Sequence, residues 1–128
     1  MLRALAAALL IATGAVVAQE GHPLTGTWTG DWGTSPDQRT RITLVMTWDG
    51  KAVTGTLNPG PNAVDVRNIV LNVDTWTVRL QVEGKDAAGT PVKIAANGEI
   101  EELGSWHRTL RGTWTQDGKK GTFRLTRD

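Results

Sequence analysis

The stretch LTGTWTGDWG, residues 24–33, decides the fold. Leu24, Gly26, Trp28, Gly30 and Trp32 fall on one side of an extended chain, and Thr25, Thr27, Thr29 and Asp31 fall on the other. That alternation has the period of a half-buried strand, and threonine and tryptophan suit a pleated surface. The same period continues along the chain. Ile42, Leu44, Met46 and Trp48 alternate with Arg41, Thr43, Val45 and Thr47, and Asp49-Gly50 predicts a two-residue hairpin into Val53, Gly55 and Leu57.

NPGPN at 58–62 reads as a loop, because its prolines lack the amide that a central ladder needs. The next run shifts phase, from Val64 and Val66 to Ile69, Leu71 and Val73, which predicts a bulge near Arg67-Asn68. Trp76, Val78, Leu80 and Val82 follow, then the polar loop GKDAAG at 84–89, then Val92 and Ile94. Asn97-Gly98 reads as a bulge before Ile100, with a tight turn as the alternative. Leu110, Gly112 and Trp114, the turn QDGKK and a last run through Phe123 and Leu125 complete the pattern.

Eight such runs, joined by short connections and with no helical stripe between them, predict an all-β fold: a single eight-stranded antiparallel up-and-down barrel. Closing the sheet removes both edges. Eight strands enclose a lumen wide enough for packed side chains or one small ligand, so the apolar inward set predicts either a plug or a dry pocket.

Residues 1–18 have the form of a signal peptide, with Arg3 ahead of an apolar run and Val16 and Ala18 before a cleavage site. The run is shorter than the ~20 residues a span requires. The expectation is therefore a leader at 1–18 and a barrel domain at 19–128, exported to the periplasm or outside the cell, with no membrane span after cleavage. The chain has no cysteine, so its core must hold without disulfides. Beyond the leader the basic and acidic side chains balance, which argues against nucleic acid and against an anionic membrane surface as partners.

Gly26-Thr27-Trp28 on the first strand, with Arg127 or Arg124 in the closing GTFRLTRD, resembles the signature of the calycins, the superfamily of lipocalins and avidins. The resemblance implies that Gly26 and Trp28 are structural and that the arginine packs over the Trp28 ring. LTGTW followed by WDGKAVTGT is similar in layout to avidin's opening hairpins. Avidin's biotin site would place a tyrosine after TGT, where Leu57 stands in a protein with no tyrosine, so biotin is not expected. The ending GTWTQDGKKGTFRLTR is similar to small lipocalin-like modules of exported bacterial proteins, from which no activity carries over.

Several residues invite a chemical reading. His22 and His107 fall at one end of an up-and-down barrel, where Asp49 or Asp74 would complete a two-histidine, one-carboxylate metal group; solvated loop imidazoles are the alternative. No short ligand spacing supports the metal, so no metal and no cofactor are expected. Ser105 lies two residues from His107 without an evident third partner, and Glu99, Glu101 and Glu102 read as a solvated face, so no residue is assigned as catalytic.

At the other end Asp31, Trp32, Asn58 and Asn62 combine a ring for stacking with amides and a carboxylate, a set suited to a sugar or other small polar ligand. Turn geometry alone would also explain the asparagines. Arg39, Arg41, Arg79 and Arg111 alternate with threonine on outward positions, either as a solvated wall or as a ladder for an acidic partner. The expected function is an exported, non-catalytic module that binds a small ligand at the barrel mouth or in an apolar pocket. The alternative is a structural or protein-interaction domain working through its outer surface.

Overall fold

A computed structural model describes residues 22–60, 63–85 and 88–128. Among these are eight strands: β1 Gly26–Ser35, β2 Gln38–Trp48, β3 Val53–Leu57, β4 Val64–Asn72, β5 Thr77–Lys85, β6 Pro91–Glu101, β7 Thr109–Gln116 and β8 Lys119–Arg127. Each pairs antiparallel with the next, and β1 also pairs with β8, so the sheet closes in sequence order. The leader at 1–18 and Asn62 lie outside the described residues.

Alternation sorts the side chains as a barrel requires. Trp28, Leu44, Met46, Val78, Leu110 and Leu125 are among the buried inward residues, and their neighbours along each strand are half-buried or exposed, with the buried Thr109 beside Leu110 as an exception. Polar and charged residues therefore cover the outside while the lumen is apolar. This is the reverse of a barrel that spans a bilayer, whose outer band is apolar and whose interior is polar.

Two of the turns obey local chemistry closely. Asp117 and Gly118 join β7 to β8 with φ of 47° and 83°, the two left-handed residues a tight hairpin needs. The bulge in β4 falls between Arg67 and Val70, with Asn68 at a φ of 53°, and it returns the apolar face inward after the phase shift.

Three local expectations are corrected. Asp49-Gly50 is part of a four-residue turn between Trp48 and Val53, because the Asp49 carboxylate accepts the amides of Lys51 (2.8 Å) and Ala52 (2.9 Å) and so caps a longer loop. Asn97-Gly98 is neither bulge nor turn. β6 runs through it in unbroken register with both neighbours, and Gly98 faces Gly112 across the β6–β7 ladder. A Cβ on Gly112 would stand 1.9 Å from the Asn97 carbonyl oxygen, so the glycine pair permits two strands to approach where the wall bends. Lastly, the first strand is displaced from the alternating stretch 24–33: β1 starts at Gly26 and continues to Ser35, paired on both sides at Asp31, Trp32 and Gly33.

Candidate functional site

The two ends of the barrel differ in how they are filled. At the end that gathers the start of β1 and the turns after β2, β4 and β6, Trp28 is fully buried and its indole Nε1 donates to the Leu24 carbonyl at 2.9 Å. Arg127 stands opposite Trp28 in the β1–β8 register, and its stem passes so close to Gly26 that a Cβ there would meet Arg127 Cδ at 3.1 Å. The ring under its guanidinium is Trp106, 4.5 Å away, not the expected Trp28. Nε donates to the Trp106 carbonyl at 3.2 Å, and Nη1 donates to those of Pro23 and Thr25. Burial, with the Arg108 charge in addition, draws the Arg127 guanidinium below the ordinary arginine range. Trp106 is itself 69% exposed, and its loop position gave the sequence reading no periodic signal.

Both histidines at this end have structural partners. His22 Nδ1 accepts the Leu24 amide at 3.2 Å while its ring lies against Trp48, 5.2 Å between centroids. Burial lowers its pKa from the ordinary 6.5, which suits an unprotonated acceptor nitrogen. His107 Nδ1 lies 3.0 Å from the Arg127 carbonyl oxygen. The Asp49 carboxyl is held below its ordinary range by the Ala52 amide first and the Lys51 amide second. No three acidic or imidazole groups among the described residues are gathered as for a metal ion.

At the opposite end the residues expected to share a ligand serve separate purposes. Trp32 turns inward and its ring tilts against Trp114, 5.4 Å between centroids. Asp31 turns outward, where its Oδ1 accepts from Arg39 Nη2 at 2.6 Å and from Nε at 3.0 Å. Asn58, with a φ of 51°, is spent on the β2 edge: its Oδ1 accepts the Thr43 amide at 3.0 Å and its own amide donates to the Thr43 carbonyl at 2.7 Å. Trp32, Trp114, Gln38 and Gln116 line a shallow depression of about 320 Å³ at this mouth.

Beneath it the lumen retains a cavity of only about 30 Å³, walled by apolar residues such as Leu57, Val66, Val82, Ile94 and Phe123. That is room for about one water and no polar group to hold it.

The outer wall carries a groove of about 760 Å³ that crosses β4 to β8 and reaches Arg39 on β2. The ladders arrange its polar residues in two rows that continue beyond it onto β1 and β2. One row reads Thr77, Glu99, Arg111, Arg124, Asp31, Arg41 from β5 to β2, and the next reads Arg79, Asn97, Thr113, Thr122, Gly33, Arg39. Gly33 has no side chain between Arg39 and Thr122, so the guanidinium lies across β1 and donates to Thr122 Oγ1 at 2.9 Å.

Two of the groove's arginines have carboxylate partners: Arg39 with Asp31, and Arg111 with Glu101 at 2.5 Å. Arg79 and Arg124 form no ion pair among the described residues. Arg111 and Arg124 nevertheless stand directly opposite across β7–β8, a like-charge pairing that costs stability; Glu99 and Asp31 flank the pair on its outer sides, and Asp31 is engaged by Arg39. The sequence reading had Arg39, Arg79 and Arg111 on the outside, but Arg124 only as a candidate packing residue.

The fold and these surfaces define a closed, eight-stranded, antiparallel β-barrel with a filled lumen and a cationic groove on its wall. No family model, curated protein or solved structure matches the chain.

Proposed function

We propose that this protein is a non-catalytic binding module of calycin type, working outside the cytoplasm, that holds an anionic partner in the arginine-lined groove of its outer wall. The observation that carries the reading is the facing pair Arg111 and Arg124, with Arg79 nearby; among the described residues neither Arg79 nor Arg124 forms an ion pair, and Asp31, opposite Arg124 across β1–β8, is held by Arg39. Guanidinium groups bind carboxylates in fixed two-pronged geometry, and a cluster with unspent donors is suited to that task. The calycin assignment is supported by the Gly26, Trp28 and Arg127 cluster, and the exported setting by the leader-like first 18 residues.

A second reading keeps the ligand at the mouth, where Trp32 and Trp114 form the base of the smaller depression. An interior ligand has less support, because about 30 Å³ is far below the ~150 Å³ that admits a benzene-sized molecule. Amide chemical-shift mapping with a short polyacrylate separates the two surfaces. The groove reading expects shifts at Asn97, Thr113 and Thr122 that vanish in an Arg79→Gln, Arg124→Gln double variant. Shifts confined to Trp32, Trp114 and the β1–β2 turn would transfer the function to the mouth.

A further inference from the structure

Resting on the groove reading, we infer that the partner is a linear acidic polysaccharide, a chain of sugars with carboxylates at intervals, lying across the strands from β5 to β8, where the Arg39 guanidinium meets it. Arg79 on β5 and the Arg39 guanidinium, which crosses Gly33 to Thr122 on β8, mark the ends of one row, three inter-strand steps apart. At 4.7–4.9 Å per step this is roughly 14 Å along the wall, so a single small anion reaches only part of the set. Arg111 and Arg124 flank the middle from the adjacent row.

Between its cationic ends this row is uncharged but not inert. Asn97, Thr113 and Thr122 present amide and hydroxyl groups to the groove, and sugar hydroxyls both donate and accept, as these side chains do.

The alternatives fit less well. An extended acidic peptide would gain most by adding to a sheet edge, and the closed ladder from β1 to β8 offers none along the groove. A nucleic acid brings a phosphate at every nucleotide, and Glu99 stands in the cationic path and would repel so dense a charge. Carboxylates spaced along a chain can meet the arginines and pass Glu99 with a neutral hydroxyl.

The test is calorimetric titration of the purified protein with hyaluronan oligosaccharides of two and eight sugars, which carry a carboxylate on every second sugar, with polyglutamate and single-stranded DNA of matched charge in parallel. The inference expects the octamer to bind about tenfold or more tightly than the dimer, because extra residues engage further arginines without a new association event. Arg79→Gln and Arg124→Gln should each weaken the octamer about fivefold or more, in proteins whose thermal unfolding shows them folded.

Equal affinity for dimer and octamer would overturn the chain-like ligand and leave a single-anion groove. Tighter, arginine-dependent binding of polyglutamate or DNA would overturn the polysaccharide and keep the groove. Octamer binding indifferent to both substitutions, or no binding of any probe, would overturn the inference and the groove reading together.

Discussion

The lumen and the outer wall are made from alternate residues of the same strands, yet they use opposite chemistry. On β7, Leu110 and Trp114 are buried in the core while Arg111 and Thr113, one residue along, are exposed on the groove. On β8, Phe123 and Leu125 are buried while Thr122 and Arg124 are exposed. Inside, shape complementarity is nearly complete and little space remains. Outside, a like-charge pair stands in register, and one of its members forms no ion pair among the described residues. The contrast teaches that the interior of this barrel supplies stability, while the unbalanced chemistry is concentrated on the wall.

The largest expected effect tests the inner half of that division. Truncating Trp28 to alanine should cost about 3–5 kcal/mol in chemical denaturation, since a fully buried indole and its hydrogen bond to Leu24 are both removed. A loss below 1 kcal/mol would mean that the lower end of the lumen is not the stabilising core.

Gly112→Ala should cost about 1–3 kcal/mol or more, because the added methyl would be driven into the Asn97 carbonyl of β6. A neutral effect would show that the glycine pair is not what lets β6 and β7 approach.

On the outside, the sign reverses. Asp31, opposite Arg124 across β1–β8, is already engaged by Arg39, so Arg124→Gln should raise stability by about 0.2–1 kcal/mol at low ionic strength, by relieving repulsion from Arg111, and the gain should fade as salt is added. A destabilised variant would show that Arg124 serves the fold and would weaken the case for the wall as the working surface.

The smallest effect concerns pH. Burial lowers the His22 pKa in the folded protein below the ordinary 6.5, so the unfolded chain binds the extra proton first as pH falls. Stability should therefore decline as pH drops below about 6.5 and level off beneath the lowered folded pKa, and His22→Gln should remove that slope. Retention of the same slope in the variant would assign it to another group.

Much of the architecture was legible because a period-two alternation leaves one face per strand to bury, and eight such faces joined by short turns have few ways to satisfy their edges. The β4 bulge was legible for the same reason, as a phase change in the apolar set at Arg67-Asn68. Asn97-Gly98 was misread because its turn preference is local, whereas pairing with β5 and β7 on both sides holds it in a strand. Asp31 and Trp32 were grouped because they are adjacent in the chain, but adjacent strand residues face opposite sides and cannot share one pocket.

The alternation of apolar and polar residues, by itself, determined the barrel, its inward set and the arginines on its outside, because the strand period assigns every residue a face. Only the tertiary structure decided which arginines stand together. Arg79, Arg111 and Arg124 come from three strands, and Arg39 reaches their groove from a fourth by crossing Gly33. Their neighbourhood depends on the cross-strand register, which is a property of the closed ladder of hydrogen bonds and not of any one strand.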